Sequence, residues 1–206
     1  MRRRPPPALC VFCASSDRVD PRYLRLAADV GRGVARRGWT LVSGGGSVSC
    51  MGELARAARA GGTRTVGIVP RALVDLEVAD HDADELVVTD DMRARKGEMD
   101  RRSDAFLALP GGLGTMEELL EVWVARTLGL HAKPVVVLDP DGVYAPLGEQ
   151  IDHLVAEGFV RAHARDVLHW TTGVQEALAA VEGGWAEAAE RVPVASVAEE
   201  MLEAEP

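Results

Sequence analysis

The chain has 206 residues, of which 47% are hydrophobic and only 4% aromatic, and its formal charge is −9. This length fits one sizeable α/β domain that buries roughly 70% of the unfolded chain's surface, so no disulfide or metal staple is required. The acidic balance argues against non-specific nucleic-acid binding, yet allows a small anion held by local backbone and arginine.

The first residues, "MRRRPPPALCVFCASS", imitate a secretory leader. Prolines interrupt them, however, and an apolar run of about seven residues is at the lower limit for such a segment. The same run serves as a first core strand. No apolar run approaches the ~20 residues that span a bilayer, and the expected location is the cytoplasm, with no membrane partner. Three cysteines, Cys10, Cys13 and Cys50, fit a reducing compartment without a disulfide framework. Cys10 and Cys13 have C-x-x-C spacing, but on a strand positions i and i+3 face opposite sides. Buried strand residues are the better reading than a redox pair.

In chain order, "ALCVFC" (8–13) reads as a buried strand. A helix follows, with Asp20 as N-cap, Pro21 at its first position and Gly38 beyond its end. "WTLVS" is a second strand ending at "GGG" (44–46), and "SVSCMGELARAARAGG" a second helix stopped at Gly61. "TVGIVP" (65–70) is a third strand. The acidic stretch from Arg71 to Glu85 reads as a surface loop, and "LVVT" (86–89) as a short strand. "DDMRARKGEMDRRS" is a charged helix with Met92 and Met99 on its inner side. "DAFLALP" (104–110) is a strand leading to a glycine turn and the helix "TMEELLEVWVARTLG". "KPVVVLD" (133–139) is a strand, followed by a helix over about 143–157, a strand "DVLHW" and a helix "GVQEALAAVEG". The domain is expected to span 8–182, with 183–206 an acidic, Ala-rich tail, loosely docked or disordered.

Apolar strands alternating with helices predict an α/β fold: a Rossmann-like, doubly wound parallel sheet with helices on both faces. Ligands in such folds sit at the carboxyl ends of strands, near the point where strand order reverses. Both glycine clusters fall there. Gly44, Gly45, Gly46 and Ser47 follow the second strand, and Pro110, Gly111, Gly112, Gly114 and Thr115 follow the fifth. One such turn is readily an ordinary strand-to-helix connection. Two on one edge favour phosphate cradles, in which bare amides at a helix N-terminus grip an anion. Thr115 can add a hydroxyl and cap the helix. Neither cluster is a dinucleotide fingerprint or a Walker motif, so a nicotinamide oxidoreductase is disfavoured. Glu117 and Glu118 are placed in the first turn, where an acid either answers the helix dipole or reaches the sugar of a bound nucleotide. Arg93, Arg95 and Lys96 supply cations, or a solvated charged face.

These residues resemble the Lonely Guy family, the cytokinin riboside 5′-monophosphate phosphoribohydrolases often labelled "lysine decarboxylase". The family's P-G-G-x-G-T-x-x-E pattern is met by Pro110, Gly111, Gly112, Gly114, Thr115 and Glu118. Its G-G-G-S-V-x-x-M-G segment is met by Gly44 to Val48, Met51 and Gly52, and its R-K pair after a methionine by Arg95 and Lys96 following Met92. The resemblance implies hydrolysis of the N-glycosidic bond of a nucleoside 5′-monophosphate, AMP or an N6-modified relative, to free base and ribose 5-phosphate. It implies Arg95 and Glu118 as the catalytic pair, with the two glycine clusters, Met51, Met92, Lys96 and Glu117 around the substrate. Glu77 falls where the family has a ligand-contacting glutamate. The chain departs from the usual "YGGGSVGLMG" at Ser43, Ser49 and Cys50, which puts the identity of the base in question through size and polarity near the pocket.

The decarboxylase label meets a chemical objection. Pyridoxal phosphate needs a Schiff-base lysine, and the only lysines are Lys96, already in the R-K motif, and Lys133, far from the ligand edge. No cofactor is implied. No metal is implied either, since the five histidines are scattered without ligand spacing. The competing reading is a non-catalytic nucleotide or molybdenum-cofactor carrier. By family likeness the protein is a homodimer with the helices around 91–102 and 115–129 near the interface, where Met92, Met99, Trp123 and Leu128 serve either the partner or the core.

Overall fold

The computed structural model describes residues 5–74 and 79–190. Among them, seven strands form one sheet in the order β4-β3-β2-β1-β5-β6-β7, with every neighbouring pair parallel. The strands are β1 (Ala8–Phe12), β2 (Thr40–Ser43), β3 (Thr65–Pro70), β4 (Glu85–Thr89), β5 (Ala105–Ala108), β6 (Val135–Leu138) and β7 (Leu168–Thr171). The helices between them are α1 (Pro21–Arg36), α2 (Ser49–Ala60), α3 (Arg71–Val74), α4 (Met92–Arg101), α5 (Leu113–Thr127), α6 (Ala145–Ala156), α7 (Ala162–Asp166) and α8 (Val174–Glu190). The expected doubly wound sheet is the observed one.

Strand alternation divides the core into two layers. Leu9, Val11, Leu41, Leu107 and Val136 point towards α1, α2 and α8, where Val30, Leu54 and Leu178 meet them. Cys10, Phe12, Val42, Phe106 and Val137 point to the other face, against Met99, Leu119, Trp123 and Ile151 of α4, α5 and α6. Cys10 and Cys13 therefore lie in opposite layers, as the strand period requires, and all three cysteines are buried and free. α1 and α2 approach closely because Gly31 has no side chain: a Cβ there would lie 2.4 Å from the Leu54 carbonyl oxygen.

Capping follows the sequence at α1, where the Asp20 carboxylate accepts from the Arg22 amide at 2.8 Å and Pro21 occupies the first turn. The described part of the acidic stretch after β3 is more structured than a surface loop. Ala79 bridges Gly46, the Asp80 amide donates to the Gly45 carbonyl at 2.8 Å, and the buried Asp80 carboxylate receives both Nη atoms of Arg59 at 2.7 and 3.1 Å. Asp84 accepts from the Thr65 amide and hydroxyl. These carboxylates satisfy donors beside β2 and β3, which a reading of local polarity misses. The last helix also runs past Gly183, where the sequence suggests an end. Gly184 packs on Pro134, and the Trp185 indole meets Trp39 edge-on and donates to the Asp104 carbonyl at 2.8 Å.

Candidate functional site

Between β1 and β5 the chain leaves the sheet in opposite directions, into α1 on one face and α5 on the other. The loops after β1, β2 and β5 meet there, around a cavity of about 720 Å³. Its position is the crevice that strand-order reversal creates in doubly wound sheets.

The fifth-strand loop forms one wall. α5 begins at Leu113 with Gly112 as N-cap, two residues earlier than the sequence suggests. Thr115 is therefore a buried residue of the first turn and not the cap, and Glu117 and Glu118 fall in the second turn. Their position owes little to the helix end, because the macrodipole fades within the first turn. The glycines differ in purpose. A Cβ on Gly111 would meet the Thr115 hydroxyl at 2.2 Å, so the fold itself requires glycine there. At Gly112 and Gly114 a Cβ would meet nothing of the protein within 4 Å. The loop is braced from below: the buried Tyr144 hydroxyl donates to the Leu109 carbonyl at 2.9 Å, and burial pushes that phenol's pKa up. Asp139 holds Tyr144 by accepting from the Val143 and Tyr144 amides at 2.9 and 2.7 Å.

Arg95 rises from α4, a helix capped by the Asp91 carboxylate on the Ala94 amide at 2.8 Å. Arg95 and Met99, four residues apart, are the buried side of this helix; Met92, at its open end, is 48% exposed and lines the cavity. The Arg95 Nε donates to the Ile68 carbonyl at 3.0 Å, and Nη1 donates to Glu118 Oε1 at 2.7 Å. The two side chains are only 7% and 11% exposed. Gly44 makes this possible, since a Cβ there would lie 2.0 Å from Arg95 Nη2. Burial raises the Glu118 pKa, while the Arg95 charge and hydrogen bond pull it back down. Lys96, one residue on, points elsewhere and bridges Glu117 and Glu121.

The cavity thus gathers Gly44, Gly46, Met51, Met92, Arg95, Pro110, Gly111, Gly112, Gly114, Thr115, Glu117 and Glu118 from the expected set. Gly45, Ser47 and Lys96 do not line it, and Glu77 lies outside the described residues. Gly45 has φ 70° and packs on Ile68, a structural use of glycine. Met99 and Trp123 are core residues; the Trp123 indole donates to the Ala164 carbonyl at 2.7 Å. Ser43 and Cys50 are buried and do not line the cavity, and Ser49 takes φ 51° where the resemblance has glycine. Sequence reading missed the loop after β1: Cys13, Ser15, Ser16 and Val19 also line the cavity, as do Val48, Val69 and Leu73 from other elements. No glycine motif marks that loop, and its place between the two clusters arises only from sheet order.

A family model described as "possible lysine decarboxylase" matches residues 51–181. A cytokinin riboside 5′-monophosphate phosphoribohydrolase of Mycobacterium tuberculosis is 49% identical over 172 residues, covering 84% of this chain and 91% of that protein. One of Arabidopsis thaliana with the same activity name is 44% identical over 160 residues, covering 78% of this chain and 74% of that protein. Among solved structures, the Moco carrier protein of Chlamydomonas reinhardtii is similar at TM-score 0.67 and 25% identity, covering 88% of this chain and 99% of that one.

Proposed function

The chain belongs to the family that the "possible lysine decarboxylase" model describes and that includes the cytokinin riboside 5′-monophosphate phosphoribohydrolases; from that premise we propose that it hydrolyses the N-glycosidic bond of a nucleoside 5′-monophosphate. The substrate is AMP or an N6-modified AMP such as a cytokinin riboside monophosphate. The observation that carries the reading is the buried Arg95–Glu118 pair in the wall of a cavity that also holds the bare N-terminus of α5.

In this reading the phosphate lies against the amides of Gly111–Thr115, where orphan N–H groups and the helix dipole favour an anion. The unhindered positions at Gly112 and Gly114 let phosphate oxygens approach the backbone. Water oxygen forms a bond to C1′ as the bond from C1′ to the base nitrogen breaks. The electron pair leaves with the base, which takes up the proton that water gives up. Positive charge builds on the sugar during this exchange, as in other glycosyl transfers. Glu118 stabilises that charge and takes the water proton first, then releases it to the departing base nitrogen. Arg95 keeps the carboxylate oriented, and favours its ionised form against the effect of burial.

The family description as a decarboxylase gains no support from the lysines. Lys96 is held by Glu117 and Glu121, and Lys133 sits on the Asp100 carboxylate and carbonyl ahead of β6. A carrier resembles the fold but has no need of a carboxylate buried against arginine. Incubation with a panel of nucleoside monophosphates, with free base measured by chromatography, decides between them. Base release is expected; tight binding of one nucleotide with no release from any would favour the carrier.

The same reading takes the protein as a cytoplasmic homodimer. Exposed Leu113 and Val124 of α5, with Leu128 just past its end, suit a partner surface, and among the described residues no helix is long and apolar enough to cross a membrane. Light scattering at micromolar concentration should give twice the chain mass; a monomer would overturn the assembly without touching the chemistry.

A further inference from the structure

Ser49 opens α2 with φ 51°, the one non-glycine residue with positive φ among those described. Glycine adopts that conformation freely, whereas a side chain disfavours it. The turn leading to it is tight, because a Cβ on Gly52 would meet the Ser47 carbonyl oxygen at 2.0 Å. A serine at a helix start ordinarily caps the helix. Here the N-cap is Val48, with no side-chain cap, and the Ser49 hydroxyl donates instead to the Ser16 carbonyl at 2.6 Å. Ser16 lies 33 residues away, in the loop from β1 to α1. Ala14, Ser15, Ser16 and Val19 of that loop line the cavity, facing the crevice that the Gly111–Thr115 turn bounds on its other side. Ser15 and Ser16 are exposed, and the bond from Ser49 ties the middle of the loop to a packed helix.

We propose that Ser49 is a positioning residue for nucleotide binding: its left-handed backbone aims the hydroxyl at Ser16 and fixes residues 14–19 as a wall of the cavity. Ser49 itself does not line the cavity. A wall ordered before the ligand arrives spares the cost of ordering it on binding. Substrate affinity then depends on Ser49, while the step at C1′ does not. The proposal rests on the phosphoribohydrolase reading for its ligand, and on the observed geometry for the tether.

The test compares Ser49→Ala with Ser49→Gly. Both lose the hydroxyl, but glycine also relieves the backbone. If Ser49 served stability alone, S49G would behave as wild type. As a positioning residue it should show KM raised about 3- to 10-fold in both variants, the size of one neutral hydrogen bond, with kcat unchanged. Hydrogen exchange of amides 14–19 should quicken in both, without nucleotide present. Wild-type KM or wild-type exchange in S49G overturns the proposal, and S49G keeps the test open if S49A fails to fold. If wild type releases base from no monophosphate, the hydrolase reading fails by itself. Exchange at 14–19, with the dissociation constant of the monophosphate that binds, then still decides the role of Ser49.

Discussion

Arg95 and Glu118 meet at 2.7 Å in a wall where neither is more than 11% exposed, although 23 residues separate them in the chain. A buried pair of this kind responds sharply to loss of one partner. Glu118→Gln keeps the shape and a hydrogen-bond acceptor for Arg95 but removes the charge. Base release from the preferred monophosphate should fall at least ~10²-fold, with near-wild-type secondary structure by circular dichroism. Arg95→Ala should lose as much activity, and stability too, because it leaves a buried carboxylate without its cation. Wild-type rates in E118Q would remove the carboxylate from the chemistry.

The glycines of the α5 turn make separable predictions. Gly111→Ala must displace the buried Thr115 side chain, so its melting temperature should fall. Gly114→Ala meets no protein atom and gains up to about 1 kcal/mol of helix propensity, so it should melt no lower than wild type. Its KM should nevertheless rise, because the methyl group crowds the phosphate. A G114A enzyme with unchanged KM would move the phosphate away from this turn.

The raised Glu118 pKa fixes the direction of a pH dependence. The carboxylate form acts, and burial makes it protonate at a higher pH than a free glutamate. Activity should therefore fall on acidification from a pH above the ordinary 4.5, and kcat/KM profiles should show this acid limb. Stability runs the other way. The folded protein holds this proton more tightly than the unfolded chain, so Glu118's contribution is fully present below 4.5 and is lost as pH rises through the raised value. E118Q should flatten that part of the stability profile, as read from melting temperatures across pH. An acid limb at or below 4.5 would contradict the environment described for this group.

Tyr144 supports the same turn from beneath. Tyr144→Phe removes the donation to the Leu109 carbonyl and leaves that oxygen buried without this partner. The expected cost is about 1–3 kcal/mol of stability, measured by urea denaturation. A rise in KM larger than the change in kcat would follow from a loosened cradle.

Asp80 and Arg59 join the segment after β3 to α2 beside the Gly44–Gly46 turn. Arg59→Ala should destabilise by roughly 1–3 kcal/mol, the range for removing one side of a charge-assisted bond that water partly screens. A change below a few tenths of a kcal/mol in urea denaturation would mean that this segment holds without the ion pair.

Strand period, the cap of α1 and glycine placement were legible because they are local. Alternation along "ALCVFC" alone sends Cys10 and Cys13 to opposite layers, and Asp20–Pro21 alone starts α1. The family motifs marked Arg95, Glu118 and both turns, since their chemistry confines which residue types can stand there. Contacts between segments far apart in sequence were decided only by packing. The brace from Tyr144, the burial of Asp80 and the tether from Ser49 to Ser16 each depend on which strands lie side by side. Periodicity constrains which face a residue presents; it carries no information on which distant element will occupy that face, because sheet order emerges from the burial of the whole chain at once.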